Sequence, residues 1–246
     1  MMKSIISAAA LSLSLGLSAA VSAGDRWGSD RSVDVVITNL THATYFTPLL
    51  IAAHESDFHL FQVGTPASEH LQAMAEGGSL TGLIEDVTAA GADYVPDPAA
   101  GLLAPGASAT ATLETGKKAR NLSLTAMLLP TNDGFVGLDG EPIPKQSGVY
   151  TFYLYGYDAG TEANDERITG GGAPGVPGIP ADPGGNAGIG GTGVSGTDYN
   201  PTVHIHRGVL GDLDPTGGPS DLDAGVHHWL NPVAKVTVTV GGSHRD

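Results

Sequence analysis

Apolar and polar positions alternate with period two in several stretches of the chain, and each such stretch predicts a strand with one buried and one wet face. Within residues 32–39, Val33, Val35 and Ile37 share one side while Asp34, Val36 and Thr38 share the other. Residues 107–114 interleave Ala and Leu with Ser and Thr, 122–129 repeat the pattern, and 150–157 are rich in aromatic strand formers. The last strand is the clearest. Val236, Val238 and Val240 face one way, Lys235, Thr237 and Thr239 the other, and Asn231-Pro232 marks where it starts.

Two segments break the alternation with helical spacing. Residues 68–76 predict a short helix with Leu71, Met74 and Ala75 on one side and Gly77-Gly78 as its stop. A second stripe of Leu80, Leu83, Ile84 and Val87 runs up to Gly91. Both helices are expected to cap an open end of a β-sandwich. Residues 170–197 hold 12 glycines and 4 prolines, a composition that sustains neither helix nor strand. A flexible, disordered insertion is expected there, tolerated because loop-closure entropy grows slowly with length.

Composition narrows the function. Lys3, the apolar stretch 5–17 and the small residues Val21-Ser22-Ala23 predict a secretory signal peptide over residues 1–23, cleaved after Ala23, so that the protein is secreted or periplasmic. Ser7, Ser12 and Ser14 interrupt that stretch and Ser4 and Ser18 flank it, which distinguishes it from a membrane anchor, and no later segment is apolar enough to span a bilayer. Residues 24–31 would be a leader, 32–241 one domain and 242–246 a tail. The formal charge is −15, and removal of Lys3 with the signal makes it −16. That balance excludes nucleic acid as a partner and suits a cation. The chain has no cysteine, so core packing, hydrogen-bond ladders or a bound ion must hold the exported domain together.

Carboxylates gather where strands are expected to end. Thr131-Asn132-Asp133-Gly134 follows the 122–129 strand, and Tyr157-Asp158-Ala159-Gly160-Thr161-Glu162 closes the aromatic one. Oxygens from two such loops, with turn carbonyls and water, would give calcium its six to eight ligands. Asn-Asp-Gly and Asp-Ala-Gly are also ordinary turn sequences, and both readings fit these residues.

The order of features resembles a spondin N-terminal domain. It runs from the Val-rich strand into Asn39-Leu40-Thr41, through Pro66-Ala67-Ser68, Ala75-Glu76-Gly77, Asp133-Gly134-Phe135-Val136-Gly137 and the 157–162 segment, to the closing 232–238 strand. The resemblance covers about residues 32–241. It implies an all-β, antiparallel, C2-like β-sandwich with a calcium ion at one end, with Asp133 at the first ligand position, Asp158 at the second and Glu162 at the third. Glu162 stands where the family commonly has aspartate, and Gly134 where it usually has tryptophan. The implied role is a binding or adhesion module without catalysis, its partner an extracellular or envelope protein or a glycan.

Histidines offer a competing chemistry. Val203-His204-Ile205-His206 puts two imidazoles on one strand face, about 6 to 7 Å apart, and His227-His228 could add a third ligand for copper or zinc. The alternative function is therefore a periplasmic metal-binding protein or metalloenzyme. A solvated His-x-His strand is the simpler reading of the same residues. The loop from Asp212 to Asp223 is either a secondary calcium site or a solvated acidic turn, and His42, His54, His59 and His70 show no ligand spacing. No nucleophile elbow, His-Glu-x-x-His, phosphate-binding loop or dinucleotide fingerprint is present, which points away from the common enzymes.

Overall fold

A computed structural model describes residues 31–116, 119–197 and 200–241. The expected signal peptide and its cleavage site, most of the leader, and the 242–246 tail lie outside the described residues. Ten strands and two helices follow in the order β1 (Arg31–Asn39), β2 (Tyr45–Phe46), β3 (Leu50–His54), α1 (Glu69–Gly77), α2 (Thr81–Ala89), β4 (Asp93–Pro96), β5 (Ser108–Thr115), β6 (Asn121–Leu129), β7 (Gly134–Pro142), β8 (Gly148–Asp158), β9 (His204–Ile205) and β10 (Ala234–Val240). The five predicted alternating strands therefore form where the periodicity places them, as β1, β5, β6, β8 and β10, and so do both helices.

All strand pairings are antiparallel, and the path runs β4-β3-β6-β7-β8-β10-β1-β5. β8 joins the two halves of a sandwich. Its residues 148–154 pair with β10, and its last four, Tyr155 to Asp158, pair with β7. Val33, Val35, Ile37, Val236 and Val238 from one half share a core with Ile51, Leu122, Leu124 and Val136 from the other. In β5 the burial alternates strictly, with Ala109, Ala111, Leu113 and Thr115 inward and Ser108, Thr110, Thr112 and Glu114 outward, as expected for a sheet with one wet face.

The second half of the sandwich is covered on both faces. β3 and β6 are apolar on either side, so the residues that do not enter the first core need another cover. The helices provide it. Leu71, Met74, Leu83 and Val87 pack with Leu50, Ala52, Met127 and Phe135 in a second core. The expectation that the helices cap an open end is thus corrected: they lie over the outer face of β3 and β6. Ser68 caps α1 by accepting the Leu71 N–H, and Gly78 ends it in a left-handed conformation.

Residues 170–197 contain no strand or helix, in line with their composition, and they make specific contacts with the rest of the chain. Ile179 is fully buried in the first core. The Asp182 carboxylate accepts N–H groups of Gly184, Asn186 and Ala187, Asp221 accepts that of Gly191, and Glu76 on α1 accepts that of Gly175. Glycine runs expose backbone N–H groups that must be paired, and Asp182 within the segment and the buried carboxylates of Glu76 and Asp221 from elsewhere in the chain pair them here.

Candidate functional site

Asp133 ends the β6–β7 loop and Asp158 ends β8. The β7–β8 ladder sets Gly134 opposite Asp158, and the Ala159 N–H reaches the Asp133 carbonyl at 3.2 Å. Neighbouring antiparallel strands bring the start of one beside the end of the other, so the two predicted acidic loops meet at one end of the sandwich. Both carboxylates are almost wholly buried.

The two oxygens of Asp133 differ. Oδ2 accepts the Thr161 N–H at 2.8 Å, the Glu162 N–H at 3.1 Å and the Thr161 hydroxyl at 3.2 Å. Oδ1 is buried and has no hydrogen-bond partner. Burial, and next the Asp158 carboxylate, push the Asp133 carboxyl up to about 8, against the pull of its backbone donors. Asp158 accepts the Gly160 N–H through Oδ1 and the Asn164 amide through Oδ2.

Glu162 is brought to the same loop cluster by its backbone, but its carboxylate turns aside. Oε1 accepts from the Asn132 amide and the Gly178 N–H, while Oε2 is buried without a partner. Burial raises the Glu162 pKa. Among the described residues, no three His, Asp or Glu side chains stand together as a ready-made metal cluster. Asp133 and Asp158 are thus adjacent, and the longer Glu162 arm points toward residues 170–197.

The histidines take other positions. β9 ends at Ile205, and His206 is buried against Trp229 with ring centroids 5.1 Å apart. Its Nδ1 accepts the Gly208 N–H, so Nε2 carries the proton and donates to Asn164 Oδ1 at 3.0 Å. Both ring nitrogens are engaged. Burial lowers the His206 pKa to about 3. His204 is half-buried, donates through Nδ1 to the Thr202 carbonyl, and sets Nε2 3.8 Å from Asp158 Oδ2. His228 donates to the Val209 carbonyl; His227 accepts the Asp223 N–H and lies 3.6 Å from Asp182. These four do not gather into a ligand set.

The chain His206–Asn164–Asp158 was not foreseen from sequence. An amide between a neutral imidazole and a carboxylate fixes the orientation of both, the arrangement by which neighbours aim a ligand. Asn132 performs a similar task, donating to Glu162 and Asp165 and accepting the Glu166 N–H. Glu166 has φ +58°, a left-handed backbone rare outside glycine, and its buried carboxylate accepts from Leu210, Gly211 and Ser220. The only sequence signal for this group was its density of acids and amides in Glu162-Ala-Asn-Asp-Glu166.

The acidic loop after β9 is internally satisfied. Asp212, Asp214 and Asp223 each accept the N–H two residues on, and Asp221 accepts from Gly191 and Ile168. A family model, Spondin_N, matches residues 38–166, just over half of the chain. The matched span holds Asp133, Asp158 and Glu162 and stops before β9 and β10. No curated relative matches the chain.

Proposed function

The chain belongs to the spondin N-terminal domain family, and from that premise we propose that it is an exported module without catalytic activity, stabilised by a calcium ion on Asp133 and Asp158. Membership makes it an extracellular-type binding module. Among the described residues, no helix is long and apolar enough to cross a membrane. The ion would lie at the end of β6, β7 and β8, where it ties the β6–β7 loop to the loop after β8.

One observation carries the reading: Asp133 Oδ1 is buried and unpartnered beside a second buried carboxylate. A polar oxygen in that position costs about 1–3 kcal/mol unless something satisfies it. A hard divalent cation does so and also removes the Asp133–Asp158 repulsion. The oxygen-only donors and their loop positions fit calcium better than magnesium, which demands a strict octahedron. Glu162 Oε2, likewise buried without a partner, would complete the carboxylate set after a side-chain rotation away from Gly178.

The test is a thermal unfolding series in EDTA and in millimolar calcium. A ligand that binds only the folded state raises its stability with concentration. The reading requires such a rise in wild type and its loss in Asp158→Ala; equal melting temperatures with and without calcium in wild type would reject it.

A further inference from the structure

The β7–β8 ladder stops at the Gly137–Tyr155 pair, after which β8 continues alongside β10 and β7 alongside β6. The two strands diverge, and a groove of about 500 Å³ opens on the outer face beside them. Its volume falls within the range of small-molecule clefts, roughly 300–1,000 Å³. Tyr153 and Tyr155 point outward from β8 and are 58% and 48% exposed, unusual for large aromatic side chains. Residues two apart on a strand share a face at roughly 6.5–7 Å. The rings therefore form a short row.

The facing wall is polar and rigidly held. Asp139 on β7 accepts the Leu60 N–H at 2.8 Å through Oδ1 and holds His59 Nδ1 at 2.5 Å through Oδ2. That pairing fixes the imidazole and leaves Nε2 without a hydrogen-bond partner among the described residues. Glu141 and Gln62 line the same wall. Gly137 in the floor is required by close packing, since a Cβ there would lie 2.5 Å from Phe61 Cζ.

We propose that this groove binds a neutral oligosaccharide, whose sugar rings stack on Tyr153 and Tyr155 and whose hydroxyls bond to Glu141, Gln62 and His59. Aromatic faces attract the C–H-bearing faces of sugars, and planar polar side chains suit pairs of hydroxyls. Charge selects the ligand class. Among the described residues neither Lys nor Arg lines the groove, and the chain carries −15, so polyanionic glycans are repelled. Asp139 already serves internal donors, which leaves Glu141 as the other carboxylate among the described lining residues and makes the wall a poor trap for a basic peptide. The groove exists without an ion, so failure of the calcium reading leaves this one standing.

The experiment is isothermal titration of the full chain with cellohexaose, chitohexaose and mannohexaose, in EDTA and in calcium, with polygalacturonate and an oligolysine peptide as charged probes. At least one neutral hexasaccharide should bind with micromolar to millimolar Kd. Tyr155→Ala should weaken it about tenfold or more, Tyr155→Phe should retain it, and Thr151→Ala, outward on β8 but outside the groove, should leave it unchanged. If Tyr155→Ala does not fold, Tyr153→Ala takes its place. Absence of binding by all three hexasaccharides at millimolar concentration, binding that survives loss of the ring, or preferential binding of either charged probe overturns the proposal.

Discussion

The Asp133 carboxylate accepts the Thr161 N–H at 2.8 Å through one oxygen while its other oxygen, buried beside Asp158, accepts nothing. The loop after β8 thus closes one side of the carboxylate and leaves the other facing a space where negative charge accumulates. The proposed ion site rests on that asymmetry, because an ordinary Asx turn satisfies its carboxylate locally, as Asp212 and Asp214 do.

Asp133→Asn separates the two roles of this residue. An amide keeps the shape and an acceptor for the 161–162 N–H groups, and it removes the charge that repels Asp158. In EDTA at pH 9 the variant should match or exceed the melting temperature of wild type, whereas in millimolar calcium it should show no further rise. A calcium-dependent shift of wild-type size in this variant would place the ion elsewhere.

Without calcium, Asp133 also sets a pH dependence. Its folded pKa of about 8 stands above the 3.8 of an ordinary aspartate, so the folded state holds the proton longer than the unfolded chain. The stabilising contribution is complete below pH 3.8 and is lost as pH rises through about 8. Urea midpoints in EDTA should therefore fall between neutral pH and pH 9 in wild type and fall less in Asp133→Asn. Saturating calcium, which competes with the proton, should flatten the wild-type profile.

His206 has the opposite sign. Its pKa is depressed from 6.5 to about 3 by burial, so the unfolded chain takes up the proton first on acidification. Its contribution is present above pH 6.5 and is lost as pH falls toward 3. In NMR spectra of the folded protein the His206 ring signals should stay constant from pH 7.5 to 5. A midpoint within that range would mean that the imidazole is solvated and that the link through Asn164 to Asp158 is not formed.

The packing of residues 170–197 is tested at α1. A Cβ on Gly77 would lie 1.9 Å from the Gly172 carbonyl oxygen, a backbone atom that cannot rotate away. Gly77→Ala should cost about 1–3 kcal/mol in urea unfolding and speed proteolysis within 170–178. If that segment were a loose insertion, the added methyl would be neutral or mildly stabilising in the helix.

Much of the architecture was legible because burial imposes a period. β1, β5 and β10 each bury one face, so alternate residues must be apolar, and the stripe Leu71, Met74 and Ala75 marks a helix for the same reason. The place of the helices was not legible, since a stripe states which side is buried and not what covers it. Only the two-sided apolar character of β3 and β6 reveals the missing layer.

The acidic site divides in the same way. Asp133 and Asp158 could be singled out because each sits at a strand end beside a glycine, Asp133 just before β7 and Asp158 as the last residue of β8, but their meeting depends on β7 and β8 being neighbours. Glu162, His206 and Asn164 take positions set by side-chain rotation and by contacts across more than 40 residues, as in the 3.0 Å bond from His206 to Asn164. Glycine content alone suggested a disordered 170–197, and the decisive acceptors, Glu76, Asp182 and Asp221, include two distant in sequence.

By itself, then, the sequence determined most of the long strands, the helices, the family resemblance and the acidic loop ends, because each follows from local chemistry and from burial of one face. Tertiary structure alone decided which carboxylates keep an unpaired oxygen, which histidines are sealed from solvent, and where Tyr153 and Tyr155 stand exposed. Those outcomes depend on how groups far apart in the chain share a limited set of hydrogen-bond partners and a limited buried volume, and no local pattern encodes that competition.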